Sequence, residues 1–434
     1  MRLFVTVFEN SVASTVAAIR ALDADHDGVE IRVERFETLD LAALRAATGK
    51  PIILTSRGRP LPFEVVGAAL DAGFELVDVE YEPRMIDSSR FRDRIVLSHH
   101  DYEAMGDLGT IAADMQSLGC AHTKVAVTPA SFADNERLLS LLASPRDASS
   151  ELTVIGMGER GLYSRILAPF KGSALTFVAA DTLAAPGQLT HESARAIYGE
   201  QRAQLICEKV FAVIGRPAGH SRSPQIHNRL FRQKGLPAGY TIASLDRFEE
   251  IEAAFLRGEP CGLSITAPFK EEALAFAERI GAEVATNARE SGAVNTVVNY
   301  GNRMLADNTD VDAFETLLRR TAGAIAIAGA GGTARAALLA ARRLGRSFTL
   351  FNRTAGPLGA RSLDELRDWR GEIVINTTPV GVELPSVAGL TVIQAAYGHD
   401  HRAIPSGTRV ISGLELLEAQ AIRQNELFTR VFER

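Results

Sequence analysis

Cysteine is scarce in this chain of 434 residues, and the three present, Cys120, Cys207 and Cys261, lie far apart. An odd, scattered set builds neither a disulfide framework nor a metal-ligand cluster, and it fits a reducing compartment. No apolar run approaches the length of a membrane span. The opening MRLFVTVFENS lacks the long apolar core of a signal peptide and reads as a first strand. There is little excess charge either. A formal net charge of −6 gives no reason to expect nucleic acid or an anionic membrane as a partner. What is there, 46% hydrophobic and 23% charged residues, is the composition of a soluble globular protein. We expect a cytoplasmic protein that meets small molecules, with a homodimer left open. The length exceeds one ordinary core and predicts two or three domains.

Short β-type runs recur through the first half with helical patterns between them, at 3–8, 29–33, 51–56, 76–81, 95–99, 123–128, 152–157 and 174–178. An eightfold βα alternation over residues 1–205 is the pattern of a closed (β/α)8 TIM barrel, with an open doubly wound sheet as the alternative. Barrel chemistry sits at the C-terminal ends of several strands at once. Here those runs carry Glu30, Arg32, Arg57, Asp78 and Glu80, then His100, Lys124, Arg165 and Gln188. A charge inside a β run is costly to bury unless paired. Lys124, in HTKVAVTP, is the sharpest case. A buried lysine has a depressed pKa and becomes an amine nucleophile, which points to Schiff-base chemistry with His100 as proton shuttle. The plainer alternative is a structural ion pair of Lys124 with Glu30 or Glu80.

These motifs resemble type I 3-dehydroquinate dehydratases across nearly the whole of residues 1–200. VEIRVERF is similar to the family's Glu-x-Arg-x-Asp strand, PIILTSR to its Arg-ended third strand and LVDVEYE to its fourth. LSHHDY is similar to the histidine signature, TKVAVTPASFADN to the lysine strand, IGMGERGLYSR to the turn that precedes a Ser-Arg pair, and APGQL to the closing loop. The resemblance implies that Lys124 forms an imine with the C3 ketone of 3-dehydroquinate. It also implies that His100 moves the C2 proton and then helps water leave. Glu30, Arg32, Arg57, Arg165 and Gln188 would hold the carboxylate and hydroxyls. Two departures stand out. The family carries a glutamate that supports the histidine shortly after the third-strand arginine, whereas this chain has no acid between Arg57 and Glu64. Ala184 also stands where a serine is common.

A new pattern begins after residue 205. GRPAGHSRSPQIHN places Ser221 and Ser223 at a helix start, suited either to cradling a carboxylate or to simple capping. GLSITAPFKE carries Thr266 and Lys270, GAVNT carries Asn295, and ADNTDVDAF carries Asp310. Lys270 and Asp310, each just past a β run, are a plausible acid–base pair for a hydride transfer that also moves a proton. Then AIAIAGAGGTARAALLAARRLGRSFTLFNRT supplies strand, glycine turn, helix and strand, the context a dinucleotide fingerprint requires. Gly329, Ala330, Gly331, Gly332, Thr333 and Ala334 form the turn. Asn352, Arg353 and Thr354 end the second strand where an NAD site carries Asp or Glu. Arginine favours a 2′-phosphate, so NADP is the expected cofactor.

Together these motifs resemble shikimate dehydrogenase over residues 209–434. INTTPVG is similar to a further cofactor loop and GLELLEAQA to the C-terminal helix with Gln420. The resemblance implies a two-domain α/β unit, with a substrate-binding domain at 209–312 completed by helix 413–434 and an NADP-binding Rossmann domain at 313–412. Ser221, Ser223, Thr266, Asn295, Tyr397 and Gln420 would bind substrate. Gln394-Ala-Ala-Tyr397-Gly398 and Leu416 depart from the family's pattern near the nicotinamide. The chain therefore reads as a fused dehydratase and dehydrogenase of the shikimate pathway, with no metal in either half. Two rivals are a quinate/shikimate catabolic enzyme using NAD and a non-catalytic metabolite-sensing regulator. The regulator's signature would be loss of Lys124, His100, Lys270 or Asp310, and all four are present.

Overall fold

A computed structural model describes the chain except for residues 83–90, 104, 145–149, 181, 357–358, 379–381, 396–403, 405 and 434. The fold divides into two compact units, residues 1–210 with 217–250, and residues 211–216 with 251–434.

The first unit is built on eight strands: β1 (Arg2–Val7), β2 (Gly28–Arg32), β3 (Ile52–Thr55), β4 (Leu76–Glu80), β5 (Ile95–Asp101), β6 (His122–Val127), β7 (Glu151–Gly156) and β8 (Leu175–Ala179). They pair in parallel in the order β7-β6-β5-β4-β3-β2-β1-β8. Every β run expected in this half lies on one of these strands, with bounds moved by one or two residues. Alternation along each strand decides which side chains point inward. Phe4, Ile53, Leu76, Val96, Ala126, Ile155 and Phe177 form a buried plug on the inner face. Residues two or four positions away along a strand share that face, as does Glu30, which pairs in register with Thr6. Thr6, Glu30, Thr55, Asp78, Glu80, Ser98, His100 and Lys124 therefore reach the same interior. Val29, Ile31, Leu54, Val77, Leu97 and Val125 point outward and are buried in two clusters with residues of the outer helices.

The barrel is nearly closed. At the seam between β7 and β8 the N–H of Ala174 donates to the carbonyl of Leu152 at 2.9 Å, but the next groups turn to side chains. Leu175 N–H donates to Thr153 Oγ1 at 3.1 Å, and Val154 N–H donates to Ser173 Oγ at 3.2 Å. Thr153 also meets the buried His122 ring, at 3.2 Å from Nε2, while Nδ1 of that ring lies 2.9 Å from Glu151.

Beyond the barrel, the first unit includes the helix Ser223–Gln233 and β10 (Ala238–Ser244). Asn228 ties them together, donating to Tyr240 O at 2.8 Å and accepting from Tyr240 N at 2.9 Å.

In the second unit, β9 (Lys209–Gly215) runs parallel to β11 (Gly262–Ile265), which pairs antiparallel with β13 (Thr296–Asn299). β14 (Met304–Asp307) follows antiparallel, and β12 (Glu283–Val284) pairs parallel with it. A second sheet is entirely parallel: β15 (Ile325–Ala328), β16 (Phe348–Asn352), β17 (Arg361–Ser362), β18 (Ile373–Asn376), β19 (Thr391–Gln394) and β20 (Arg409–Ile411). Its order, β17-β16-β15-β18-β19-β20, reverses direction at β15, the switch point where doubly wound sheets bind nucleotides. The helix Gly413–Thr429 starts at a capping box between Ser412 and Glu415. Among the described residues no helix is long and apolar enough to cross a membrane.

The seam generates a stability prediction. Thr153→Val keeps the shape but strips the partner from Leu175 N–H and from the His122 ring. An unpaired buried donor costs about 1–3 kcal/mol, so the barrel's thermal midpoint should fall by several degrees, while Thr153→Ser should stay close to wild type. Equal midpoints for the valine and serine variants would show that the seam does not depend on this hydroxyl.

Candidate active sites

The barrel interior narrows to a cavity of about 80 Å³ lined by Glu30, Arg32, Arg57, His100, Lys124, Arg165 and Gln188 together with Tyr102, Met157 and Phe177. All seven candidate residues of the first half thus face one space. Lys124 Nζ donates to Asp78 Oδ2 at 2.6 Å and lies 4.5 Å from the centre of the Phe177 ring. The sequence pointed to Glu30 or Glu80 as the acid beside Lys124; the structure has Asp78 instead. Glu30 is turned to hydroxyls, accepting from Thr6 at 2.7 Å and Thr55 at 3.0 Å. The same Asp78 carboxylate takes two bonds from Arg57, at 2.8 and 2.6 Å, and one from Ser98 at 2.5 Å.

Burial alone would raise the Asp78 pKa, but Arg57 and Lys124 outweigh it and hold the group far below the ordinary carboxylate range. Lys124 moves the other way. Burial, reinforced by the Arg57 charge, lowers its pKa despite the pull of Asp78 and Glu30.

His100 Nδ1 lies 2.8 Å from Glu80 Oε2, and its backbone N–H donates to Glu80 Oε1 at 2.8 Å. The histidine therefore has an acidic partner, supplied by β4 and not by the segment after β3. Burial drives the His100 pKa down to about 4, Arg57 and Lys124 push the same way, and the Glu80 bond opposes them. Arg165 is buried in a different condition. Its Nε and Nη1 have no hydrogen-bond partner among the described residues, and burial lowers its pKa to about 10. A planar cation in this state is preorganised for a carboxylate. Gln188 donates to Thr6 Oγ1 at 3.1 Å and accepts from Ala184 N at 2.8 Å. Arg32 is held by Glu34. Asp78 and Glu80 were visible in the sequence as strand residues. Their spacing of two, in phase with Ser98 and His100 on the next strand, was the available signal for their role.

Ser221 and Ser223 lie in the first unit, both buried, with their hydroxyls 3.1 Å apart at the start of the helix Ser223–Gln233.

In the second unit Lys270 Nζ donates to Asp310 Oδ2 at 2.5 Å and to Thr333 Oγ1 at 2.8 Å. Asn295 Nδ2 donates to Asp310 Oδ1 at 2.9 Å and Thr309 Oγ1 at 3.0 Å, and lies 3.4 Å from Gln420 Oε1. Gln424 holds Asn295 from behind, donating to its carbonyl at 3.0 Å. A cleft of about 420 Å³ joins Thr266 and Lys270 to the glycine turn and to Asn352 and Arg353. Gly329 has φ +114, and a Cβ there would stand 2.3 Å from Thr377 Oγ1, so only glycine fits. At Gly331 a Cβ would meet nothing within 4 Å, and the helix Gly332–Arg343 begins without a side-chain cap. An open approach, uncapped N–H groups and Arg353 on the wall fit a dinucleotide. Thr333, expected only at the cofactor, also meets Lys270. Ala334 is packed into the core, and Thr354 is exposed at the strand end. Tyr397 lies outside the described residues. Among those described, no group of three or more His, Cys, Asp or Glu could hold a metal ion.

Residues 3–204 match the type I 3-dehydroquinase family, and residues 213–297 match the shikimate dehydrogenase substrate-binding domain. The chain is 28% identical over 427 residues to the bifunctional 3-dehydroquinate dehydratase/shikimate dehydrogenase, chloroplastic, of Arabidopsis thaliana, covering 84% of this chain and 69% of that protein. It is 31% identical over 388 residues to the pentafunctional AROM polypeptide of Zygosaccharomyces rouxii, covering 79% of this chain but spanning only 23% of that protein. Shikimate 5-dehydrogenase of Thermus thermophilus, solved with NADP(H) and shikimate, is 27% identical, covers 51% of this chain and 93% of its own, and superposes with a TM-score of 0.44.

The His100 environment can be tested without reference to any reaction. Its ring should titrate near pH 4 by NMR, well below the 6.5 of an exposed imidazole. Because the folded pKa is the lower one, the unfolded chain takes up the proton first. Stability from this site is thus fully present above pH 6.5 and is lost as pH falls towards 4. A His100 titration at 6.5 or above would contradict this electrostatic picture.

Proposed function

Because the chain belongs to the type I 3-dehydroquinases over residues 3–204 and to the shikimate dehydrogenases over residues 213–297, we propose that it carries out two successive reactions of the shikimate pathway. The barrel dehydrates 3-dehydroquinate to 3-dehydroshikimate, and the remainder reduces that product to shikimate with NADPH. The observation that carries this reading is the grouping, in one cavity, of a buried lysine, a histidine of lowered pKa and an arginine whose Nε and Nη1 have no partner among the described residues.

In the first reaction Arg165 takes the substrate carboxylate, while Glu30, Arg32, Arg57 and Gln188 receive the hydroxyls. Lys124, its pKa lowered by burial, reaches the neutral form and attacks the C3 ketone, and water leaves as the imine forms. Asp78 then faces the iminium charge at no cost in reorganisation. His100, neutral at physiological pH, removes the C2 proton and returns it to the departing C1 hydroxyl, and water then hydrolyses the imine to free 3-dehydroshikimate and the Lys124 amine. Glu80 orients the ring.

In the second reaction Ser221 and Ser223 bind the carboxylate, with Thr266, Asn295, Tyr397 and Gln420 as further substrate contacts. Lys270 and Asp310 exchange the proton at the carbonyl oxygen that becomes the hydroxyl. Bound NADPH supplies the hydride. Residues 329–334 hold its pyrophosphate, and Asn352, Arg353 and Thr354 its 2′-phosphate. The Rossmann domain is 313–412, between a substrate domain at 209–312 and its completing helix, and a reducing, cytoplasmic setting suits the three thiols.

The whole reading is tested by giving the purified full chain dehydroquinate and NADPH with no dehydroshikimate. NADPH should be consumed. Lys124→Arg should abolish that consumption and leave reduction of added dehydroshikimate intact. Lys270→Ala should slow the reduction by about 10²–10⁴-fold and leave dehydration unchanged. Activity on added dehydroshikimate alone, in the wild type, would show a barrel without catalysis. Cofactor choice is read separately: Arg353→Ala should raise KM for NADPH about five- to tenfold with little change for NADH. Equal shifts for the two cofactors would sink the 2′-phosphate assignment.

A further inference from the structure

The turn between β7 and the helix Leu162–Leu167 contains two charged residues, Glu159 and Arg160, that do not line the barrel cavity. Gly158 points its N–H to Pro186 O at 3.0 Å, within the loop that carries Gln188. The next two side chains look elsewhere. Glu159 Oε1 accepts from Gly219 N–H at 3.0 Å and from Ser244 Oγ at 2.8 Å. Arg160 reaches Asp246 and, at 3.2 Å, Glu250, while holding Ala130 O at 2.7 Å. Every one of these residues belongs to the first compact unit.

The partners of Glu159 are not isolated. Ser244 Oγ accepts from Ala218 N–H at 3.0 Å, and Ala218 O accepts from Ser221 N–H at 2.9 Å. Ser221 Oγ in turn accepts from Ser223 N–H at 3.2 Å and donates to Ser223 Oγ at 3.1 Å. A continuous series of hydrogen bonds thus runs from one barrel carboxylate to the two serines.

From this series we infer that Glu159, a residue of the dehydratase barrel, is a positioning residue for substrate binding by the dehydrogenase. It fixes the loop Gly219–Ser223 through two donors on one oxygen, and so sets the angle at which the paired hydroxyls meet a carboxylate. The inference rests on the reading of Ser221 and Ser223 as the shikimate carboxylate cradle. Its chemistry needs only an acceptor at Oε1. Glutamine can supply that acceptor, and alanine cannot.

The test uses the full chain, oxidising shikimate with NADP⁺. Glu159→Ala should raise KM for shikimate about five- to tenfold, with kcat within twofold and KM for NADP⁺ unchanged. Dehydration of dehydroquinate by the same variant should match wild type and show that the barrel is folded. Glu159→Gln should restore KM for shikimate to within twofold of wild type. The proposal falls if Glu159→Ala leaves KM for shikimate unmoved, if all kinetic constants shift together, or if the glutamine variant is as impaired as the alanine one. A wild-type chain that does not oxidise shikimate would instead remove the dehydrogenase reading, and that result is seen before any variant is compared.

Discussion

One carboxylate holds the dehydratase site together. Asp78 is buried in the middle of β4, where an isolated charge is strongly disfavoured. It persists as an anion because a guanidinium and an ammonium share it, and they in turn remain buried because of it. The sharing is unequal: Arg57 occupies both oxygens and Lys124 only one. Arg57 therefore stays a permanent cation, while Lys124 sits beside both a partner and a rival. Burial, with the Arg57 charge beside it, lowers the Lys124 pKa although Asp78 pulls the other way. The same positive charges reach His100, which Glu80 orients but does not keep protonated.

The second site solves a similar problem with amides. Lys270 and Asp310 form the charged pair, but Asn295 is the hub, bonded to Asp310 and Thr309 and backed by Gln424. Neutral partners fix the geometry of the pair without adding charge. Thr333 adds a link of another kind, because this residue of the first turn of the helix Gly332–Arg343 accepts a hydrogen bond from the lysine of the pair. One hydrogen bond thus links the glycine turn to the Lys270–Asp310 pair.

Much of this was legible in the chain. The eight strands announced themselves because a parallel barrel buries both faces of each strand, and apolar runs at regular spacing have few other uses. The glycine turn was legible because its strand–turn–helix–strand context leaves few conformations open. Pairings across strands were harder. Asp78, Glu80 and Glu30 all share an inward face, and only the register of β4 against β5 and β6 determines which of them meets Lys124 and which meets His100. The histidine's acid was sought after Arg57 because the family that the barrel resembles carries one there. Nothing local marks Glu159 and Arg160, since most of their partners lie sixty to ninety positions away. The seam at Thr153 was invisible for a similar reason: nothing local distinguishes a ladder hydrogen bond from one diverted to a hydroxyl.

The place of Gln420 in the chain has a consequence for how the protein is made. The barrel's last strand ends at Ala179, and Gln188 follows closely. The network around Asn295 and Thr309 waits for Gln420, carried by the helix Gly413–Thr429. Since ribosomes deliver the chain from its N-terminal end and domains fold as they emerge, the nascent polypeptide possesses every proposed residue of the barrel cavity long before it possesses Gln420. On a translating ribosome the two proposed sites are completed in the same order as the reactions proposed for them.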